Sequence, residues 1–549
     1  MQSQPVVGEV EDVASAGVVV RFNRAALDDL FRRDHTAHQM SGRVGGQIKV
    51  HIDGMWVVGS IRDIQIEPAD RGFMRATVDF LGEGEVGAHG MISAFRRGVS
   101  RFPRAGDPVH AVSRTDLGEI FAAGAHPHIE IGMVHPSSDV RAGLFIDELL
   151  GRHFALVGST GSGKSSMTAL IIHRIIAAAP NGHVVVLDPH GEYGSAFPET
   201  GAVFSVDNLD LPYWLMNFEE HCEVFVTSEG ADGELDKAIL GKALLKARRQ
   251  GTLAADFTGL TVDSPLPYQL PELIAELTSQ IGLLDNSNEI ARYIGLKNRI
   301  EYVLRDPRYH FMFRGALAGD SMKSFLGRLL RLDDDGRPIA IIDLSGVPTD
   351  IIAVVVALLS RVVLDHAVWT PENIRRPVLI VCEEAHRYIP PDHVKGATAV
   401  RRSLVRIAKE GRKHGVALGL ITQRPSDLAE GALSQCGTLI SMRLNNERDQ
   451  ECVRNAMPDS GQSLVDAIPA LRRGECIVCG EGVAVPMRVR VDRLEDGLRP
   501  RSDDPMFSRD WADKGAPTDT LDRTIQRWRS QSEHGGETRV ERSSLLIRK

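Results

Sequence analysis

The fold is decided by the stretch Phe154-Ala-Leu-Val-Gly-Ser-Thr-Gly-Ser-Gly-Lys-Ser165, an apolar strand followed by a glycine-rich loop. Residues 158–165 match the pattern G-x-x-x-x-G-K-S/T at every fixed position, and a helical segment follows from Ser165 to Ala179. Glycines let the backbone curl so that successive N–H groups converge on phosphate oxygens, while the helix N-terminus adds positive potential. A chance glycine-rich turn is the alternative, but it leaves the register of strand, loop and helix unexplained. The stretch predicts a phosphate-binding loop.

Two side chains of this loop have predicted chemical roles. Lys164 would bridge the β- and γ-phosphates of ATP, and the Ser165 hydroxyl would bind Mg²⁺. ATP and Mg²⁺ are therefore the predicted substrate and cofactor. The predicted nucleotide-binding residues of the loop are Gly158, Ser159, Thr160, Gly161, Ser162, Gly163, Lys164, Ser165 and Ser166.

The chain around this loop is typical of an α/β fold. A second apolar strand at 183–187 follows the helix, and strand–helix–strand is the building unit of a parallel sheet. Residues of about 210 to 335 show mostly helical periodicity, after which strands return at 338–343, 377–382 and 416–421. We therefore predict a parallel-sheet core that is interrupted by a helical insertion.

Two adjacent glutamates follow the strand that ends at residue 382. A P-loop ATPase needs one carboxylate at the end of a neighbouring strand for magnesium and another to orient the attacking water. Glu383 takes the magnesium-facing position, and its extra methylene relative to aspartate favours contact with the metal through water. Glu384 is the candidate for polarising water. A pair of solvated loop acids is the alternative, and a complete phosphate loop elsewhere in the chain argues against it.

A second acidic cluster follows the strand at 183–187, in the run Asp188-Pro-His-Gly-Glu192. Ligands of open α/β sheets gather at the carboxyl ends of the strands, so Asp188 and Glu192 are candidates for the metal site or for holding the water. A turn is the alternative, because Pro189 and Gly191 are turn residues. We favour the functional interpretation.

The strand at 416–421 ends in the polar run Thr422-Gln-Arg-Pro425. A polar side chain at this position would lie beside the γ-phosphate and report its presence, and Gln423 is our candidate. A strand-capping turn before Pro425 is the competing interpretation.

A helical segment from Thr398 to His414 carries a row of cations on one face and apolar residues on the other. A solvated face is one interpretation, and contact with DNA phosphates in a channel is another. A third involves Arg412, near the end of the segment, as an arginine finger that reaches the ATP of a neighbouring subunit. The cations of the row are Arg402, Arg406, Lys409 and Lys413.

The first part of the chain contains short β patterns separated by turns with glycine and aspartate, as in Gly17–Phe22, Ile48–Ile52, Trp56–Ile61 and Phe73–Phe80. This pattern predicts a small antiparallel barrel. The predicted domains are a β-barrel at 1–135, the first part of the ATPase core at 136–209, the helical insertion at 210–335, the second part of the core at 336–495 and a polar tail at 496–549.

Bulk composition bounds the class of protein. With 549 residues the chain is too long for one hydrophobic core, and its 43% hydrophobic and 25% charged residues are ordinary for a soluble protein. We see no uninterrupted apolar run near the ~20 residues of a membrane span, and no N-terminal secretion signal. The sparse use of cysteine, 6 residues in all, favours a reducing cytoplasm. The net charge of −9 argues against a protein that coats nucleic acid non-specifically. A ring that threads DNA needs only a local basic lining of its channel.

The motifs together resemble the HerA group of the HerA/FtsK ATPases. The runs from Gly151 to Ser165 and from Asp188 to Tyr193 both look like motifs of that group. The N-terminal β domain resembles the family's HAS barrel, and the resemblance implies a RecA-like core over a similarity that covers roughly residues 6 to 510. Further matches are Leu211-Pro-Tyr-Trp-Leu-Met-Asn217, Glu384-Ala-His386 and Glu410-Gly-Arg-Lys-His-Gly415.

The resemblance implies a homohexameric ring with ATP sites between subunits and double-stranded DNA in the central channel. By position, Lys164 and Ser165 would bind nucleotide, and Glu384 would be the catalytic acid. Arg412 would act as a finger in trans, and Arg152 would make a second contact across the interface. The family usually has aspartate where this chain has Glu383, so direct ligation of the metal is less expected there.

The resemblance also implies a partner on the barrel face, commonly a nuclease. Similar bacterial proteins occur in antiphage systems beside sirtuin-like NADases or nucleases, and no membrane contact is expected. Our leading hypothesis is an ATP-driven translocase or helicase for double-stranded DNA. The runner-up is a scaffold ATPase that assembles and regulates a bound effector enzyme without processive movement on DNA. A small-molecule kinase fits poorly, because it leaves the barrel, the insertion and the tail unexplained.

Overall fold

The computed structural model describes residues 5–33, 41–68, 70–135, 137, 139–332, 336–391, 397–429, 431–457, 462–501, 506–512 and 519–530. The chain divides into two compact units, residues 1–500 and residues 501–549. The domain bounds inferred from sequence within the first unit stay a prediction.

The N-terminal part of the first unit is a closed antiparallel barrel. The strand order is β2-β1-β7-β3-β4-β5-β6, and β2 also pairs with β5, which closes six strands and leaves β6 as an extension of β5. Alternate residues of each strand, such as Val18, Val20 and Phe22, point into an apolar core. The strands are β1 (Val6–Val13), β2 (Gly17–Asn23), β3 (Gln47–Ile52), β4 (Met55–Ile66), β5 (Phe73–Val86), β6 (Ile92–Arg97) and β7 (Pro108–Ala111), with helix α1 (Arg24–Arg33) after β2.

A buried ion pair joins the barrel to the short helix α2 (Arg114–Ile120). Lys49 Nζ on β3 lies 2.7 Å from Asp116 Oδ2, and both side chains are fully buried. The Asp116 carboxylate also accepts hydrogen bonds from the backbone N–H groups of Ile92 and Ser113. Burial lowers the pKa of Lys49, and the bond to Asp116 opposes that shift. The pair ties β3, the start of β6 and α2 together.

A sheet of eleven strands forms the rest of the first unit's framework, in the order β12-β13-β11-β14-β15-β10-β16-β17-β18-β8-β9. The strands from β12 to β16 run parallel, and the last four are antiparallel. They are β8 (His128–Val134), β9 (Arg141–Phe145), β10 (Phe154–Val157), β11 (His183–Asp188), β12 (Gly201–Phe204), β13 (Ile339–Asp343), β14 (Val378–Cys382), β15 (Val416–Thr422), β16 (Thr438–Ser441), β17 (Glu475–Gly480) and β18 (Met487–Val491).

Helices cover both faces of this sheet, which explains why its parallel strands are apolar without interruption. Ala155 and Val157 of β10 face one hydrophobic cluster, whereas Phe154 and Leu156 face the other. The helices are α3 (Ile146–Gly151), α4 (Lys164–Ala178), α11 (Ile352–Trp369), α12 (Thr398–His414), α13 (Glu447–Ala456) and α14 (Gln462–Val465).

The helical insertion lies between β12 and β13 in the chain, and these two strands are neighbours in the sheet. The insertion is tied to the core by the buried Glu220 carboxylate, which accepts hydrogen bonds from Arg361 on α11. Its helices are α5 (Phe218–Phe225), α6 (Gly230–Gln250), α7 (Leu270–Ile281), α8 (Ser287–Arg305), α9 (His310–Phe313) and α10 (Met322–Leu329). Barrel, α/β core and insertion confirm the predicted fold class.

Helix α11 is long and apolar enough to cross a membrane by length and composition, with a mean hydropathy of 1.9. Of that helix 61% is buried inside the protein, where it packs against α12 and the sheet. Arg361 and Asp365 interrupt its apolar run and form an ion pair with each other. In this fold α11 is a core helix.

The second unit contains two short helices among its described residues, α15 (Phe507–Asp510) and α16 (Asp519–Ser530).

Candidate active site

The phosphate-binding loop connects β10 to α4 at the carboxyl edge of the parallel strands. Gly163 has a φ of 108° and precedes Lys164, the first residue of α4. This left-handed conformation favours glycine. No side chain caps the first turn of α4, so its N–H groups remain available to an anion.

The loop is held in shape by its contacts with the chain after β16. A Cβ atom on Gly158 would lie 2.8 Å from Met442 Cβ, so this position requires glycine. The Ser159 N–H donates to the Arg443 carbonyl at 2.8 Å, and the Asn445 N–H donates to Ser159 Oγ at 3.2 Å. The buried Ser162 lies with its Oγ 3.9 Å from Met442 Sδ. The loop therefore keeps a preset shape.

Lys164 lies within reach of the acidic residues that the sequence singles out. Its side chain is buried, and Nζ donates to the Ser159 carbonyl at 3.4 Å. Burial lowers the pKa of Lys164, while the charges of Glu383, Glu384 and Glu192 act to raise it. The loop lysine thus interacts electrostatically with these three carboxylates.

The serines at the start of α4 are less enclosed. Ser165 is half-buried and Ser166 is exposed in the first turn of the helix. Thr160 and Gly161 at the tip of the loop are exposed as well. Their roles in nucleotide binding stay predictions.

Glu383 follows β14 and is almost completely buried, with 5% of its surface exposed. The Tyr193 hydroxyl donates a hydrogen bond to Glu383 Oε2 at 2.9 Å. Burial raises the pKa of Glu383 to about 8, a shift that the Tyr193 bond reduces and the charge of Glu384 increases. A buried carboxylate of this kind is stabilised in its charged form by a bound cation.

Glu384 adopts a left-handed backbone conformation with a φ of 52°. This conformation is uncommon for a residue with a side chain and is found preferentially at functional sites. The residue is 3% exposed, and its Oε1 accepts a hydrogen bond from Gln423 Nε2. Oε2 lies 3.2 Å from His386 Nδ1 but has no hydrogen-bond partner among the described residues. That oxygen is positioned to accept a hydrogen bond from a ligand.

Gln423 connects the phosphate loop to Glu384. Its Oε1 accepts a hydrogen bond from Thr160 Oγ1, and its Nε2 donates to Glu384. The sheet order explains this position, because β15 lies between β10 and β14. The residue after β15 therefore falls between the residues that follow its two neighbours.

Asp188 occupies the turn after β11, and both of its carboxylate oxygens are engaged there. Oδ1 accepts from the N–H groups of His190 and Gly191, at 3.2 and 2.9 Å, and Oδ2 accepts from the Tyr193 N–H at 2.9 Å. Burial raises the pKa of Asp188. Glu192, in the same turn, is half-buried, and its charge acts to raise the pKa of Lys164. Direct roles of Asp188 and Glu192 in metal or water binding stay predictions.

Arg412 and Arg152 lie at the opposite edge of the sheet from the phosphate loop. Arg412 is exposed near the end of α12, just before β15 begins, and Arg152 precedes β10 and pairs with Glu481. The seven residues of β15 separate the two edges by about 20 Å, at ~3.3 Å per residue. Neither arginine is placed to reach the phosphate loop of its own chain.

The cationic row of α12 is partly engaged in ion pairs. Arg402 contacts Glu219 at 2.7 Å, and Arg406 contacts Asp365 at 3.4 Å and Glu410 at 3.2 Å. These contacts agree with a solvated face for the first half of the row. They leave the interpretation of Lys409 and Lys413 open.

The residues at this site fit a magnesium–nucleotide complex. The uncapped turn of α4 and Lys164 suit phosphate, and Ser165 and Glu383 are the residues that would face the metal. Within the described ranges no group of three or more His, Cys, Asp or Glu side chains forms a metal cluster. Such a set is not required, because Mg²⁺ in ATPases is held mainly by phosphate oxygens and water.

Comparison with known proteins agrees with this geometry. A family model described as the central domain of the helicase HerA matches residues 129–363. The DNA double-strand break repair helicase HerA of Pyrococcus furiosus is 27% identical over 499 residues, which cover 81% of this chain and 86% of that protein. The protein of the same name from Sulfolobus acidocaldarius is 27% identical over 416 residues, which cover 74% of this chain and 77% of that protein. The chain is thus similar to HerA helicases over most of its length, and it is an ATP-hydrolysing enzyme.

Among solved structures, VirB4 of Thermoanaerobacter pseudethanolicus is 14% identical to this chain. The match covers 69% of this chain and 99% of that one, with a TM-score of 0.49.

Sequence reasoning missed two polar residues of this site. Tyr193 and His386 stand inside motifs that the sequence singles out, at Asp188–Tyr193 and Glu384–His386, yet only the acids of those motifs received roles. His386 Nδ1 contacts Thr422 Oγ1 at 3.1 Å as well as Glu384. The signal that could have identified Tyr193 and His386 is their position within the two motifs. A polar side chain that lies near catalytic candidates can orient them.

Proposed function

We propose that this chain couples ATP hydrolysis to movement along double-stranded DNA as one subunit of a hexameric ring. The observation that carries the proposal is the hydrogen-bonded connection from Thr160 through Gln423 to Glu384. It links the loop that would hold the γ-phosphate to the residue that would activate water. The presence or absence of the γ-phosphate would thereby change the position of the Glu384 carboxylate. An ATPase that does mechanical work requires such a coupling.

The chemistry follows from the placement of each side chain. Lys164 would hold the β- and γ-phosphates, and Glu384, whose Oε2 has no hydrogen-bond partner in the described part of the chain, would orient the attacking water. The Gln423 Nε2 amide has a second N–H besides the one that it donates to Glu384, and this N–H would donate to the γ-phosphate. Bound Mg²⁺ would neutralise phosphate charge, with Ser165 and Glu383 as its protein contacts.

The amino edge of the parallel strands carries basic residues that are exposed or half-buried, and a neighbouring copy would contact them. A contact between two different surfaces of identical chains is heterologous, and such contacts generate rings when the rotation closes. The hexamer itself is proposed from the resemblance. The basic residues are Arg152, Arg375, Arg376, Arg412 and Lys413.

In such a ring the arginines at the amino edge would face the ATP of the neighbouring copy. Arg412 is the proposed finger, and Arg152 a second contact across the interface. Both are placed away from their own phosphate loop, as described above, which is the arrangement that action in trans requires.

A partner effector, either a nuclease or a sirtuin-like enzyme, is proposed to dock on the barrel. Exposed apolar side chains on that part of the chain, Val44 at 61%, Ile66 at 54% and Phe102 at 47%, support a protein contact there. The proposed setting is antiphage defence in the cytoplasm.

The test is ATP turnover with and without linear double-stranded DNA, using Lys164→Ala as the blank. Strong stimulation that vanishes in this variant is the expected result. Lys323→Ala, an exposed lysine on α10 outside the site, is the matched control and should behave as the unmodified chain does. Turnover indifferent to DNA would favour the scaffold ATPase instead, and a stable, active monomer in solution would contradict the ring.

A further inference from the structure

The turn after β11 contacts Glu383, the residue that follows the neighbouring strand β14. The acidic residues of the turn do not make these contacts. The two strands are parallel, and Leu187 stands opposite Cys382, so the residues that follow them emerge side by side. Glu383 accordingly donates its backbone N–H to the Leu187 carbonyl at 3.2 Å. The Asp188 carboxylate is already occupied by three backbone N–H groups of its own turn. It is therefore poorly placed to act as a ligand.

Tyr193 ends this turn and makes the contact that Asp188 does not. Its side chain is fully buried, and its hydroxyl donates to Glu383 Oε2 at 2.9 Å. Its backbone N–H donates to Asp188 Oδ2 at 2.9 Å, which fixes where the ring begins. Two hydrogen bonds thus lead from Asp188 through Tyr193 to Glu383.

Glu383 needs such a contact because its side chain is long and flexible. A glutamate has one more rotatable bond than an aspartate, and holding it in one rotamer costs more conformational entropy. Residues that hydrogen-bond a metal-facing carboxylate orient it and tune the site. The Tyr193 hydroxyl engages one oxygen of the Glu383 carboxylate, Oε2.

We propose that Tyr193 is a positioning residue for Glu383, and that the Asp188–Tyr193 turn serves the metal site through this hydroxyl. Asp188 then acts by shaping the turn. The inference rests on the proposed use of magnesium and ATP, but it does not depend on DNA, on the ring or on a partner.

The test measures binding rather than turnover. Tyr193→Phe keeps the buried ring and removes only the hydroxyl. A fluorescent ATP analogue is titrated against the full chain without metal and with increasing Mg²⁺, in the absence of DNA. The expected result is unchanged affinity for the analogue without metal and about a tenfold higher Mg²⁺ concentration for the half-maximal gain, as outer contacts of metal sites typically give.

Glu383→Gln and the double variant complete the test. Since Tyr193 acts through Glu383, Tyr193→Phe should have no further effect on Mg²⁺ dependence when Glu383 is already changed. The matched control is Tyr309→Phe, a buried tyrosine in the insertion whose hydroxyl donates to Asp350, and it should leave Mg²⁺ dependence unchanged.

Two outcomes would overturn the inference. One is Mg²⁺ dependence of Tyr193→Phe equal to that of the unmodified chain, and the other is an equal loss in the Glu383→Gln background. Either result leaves the proposed function intact if the unmodified chain binds the analogue with Mg²⁺. An unmodified chain that binds no nucleotide would sink the proposed function itself, and the inference with it.

Discussion

Gln423 donates a hydrogen bond from its side-chain amide to Glu384 Oε1, so the end of β15 is tied to the end of β14. The same amide group accepts from Thr160 of the phosphate loop. One side chain therefore holds both a loop residue and the candidate base.

This relationship predicts the effect of Gln423→Ala. Binding of ATP should persist, because Lys164 and the loop backbone remain, whereas kcat should fall about 10- to 100-fold, less than the loss of a direct transition-state donor. Steady-state kinetics separate the two quantities. Gln280→Ala removes a comparable amide–carboxylate contact, with Glu276 on α7, and should leave kcat unchanged. A raised KM with unchanged kcat would show that Gln423 serves binding only.

The placement of Arg412 predicts complementation between inactive variants. Arg412→Ala and Lys164→Ala should each lack activity, because one removes the proposed finger and the other the phosphate contact. Mixed rings would combine an intact loop from one copy with an intact finger from its neighbour. Random mixing in equal amounts should restore about a quarter of the sites in such a head-to-tail ring.

ATP turnover of the mixture is the measurement. The control mixes Arg412→Ala with a chain that carries both substitutions, a pair that cannot build a complete site. Absence of recovery in rings shown to exchange subunits would exclude action of Arg412 in trans.

The buried pair Lys49–Asp116 predicts a large stability effect in the barrel. Lys49→Met should destabilise the folded protein by about 3–5 kcal/mol, because it leaves the Asp116 charge buried without its cation. Thermal and urea unfolding measure the change. Lys237→Met breaks the exposed pair with Glu234 on α6 and should cost at most about 1 kcal/mol. Similar losses for both variants would contradict the role assigned to burial.

His221 predicts a dependence of folding stability on pH. Burial lowers the pKa of this histidine from 6.5 to about 3. The neutral ring is satisfied on both sides, since Nδ1 contacts the Asn217 carbonyl at 2.7 Å and Nε2 contacts the Tyr268 hydroxyl at 2.9 Å. The unfolded chain binds a proton more readily than the folded chain, so stability falls as pH falls from about 6.5 towards about 3.

Melting temperatures at about pH 7.5 and about pH 5.5 test this dependence. His221→Gln cannot titrate in this window and should show a smaller loss on acidification than the unmodified chain, although it is less stable at neutral pH. An equal loss in both would assign the acid sensitivity to other groups.

Sequence predicted those parts of the site that depend on local pattern. The phosphate loop and the pair Glu383–Glu384 are short motifs at strand ends, and β10 and β14 are apolar runs that can be located without tertiary information. Gln423 was predicted beside the γ-phosphate from its place after a strand, and it lies beside the loop.

The remainder depends on pairings between distant residues. Nothing local to β15 shows that it lies between β10 and β14, and nothing local to β8 shows that it joins the large sheet through β18. The Tyr193–Glu383 bond joins residues 190 positions apart. The sequence offers a turn as the alternative to a direct role for Asp188, and only the backbone geometry shows that both of its carboxylate oxygens accept hydrogen bonds within that turn.

The position of the helical insertion bears on how such a chain can diversify. It leaves the sheet after β12, which is the edge strand, and returns at β13, the strand next to it. Both strands lie at the same side of the sheet, and β11 separates them from β14, β15 and β10. The segment can therefore change in length without altering the order of the catalytic strands, provided that the buried contact between Glu220 and Arg361 is kept.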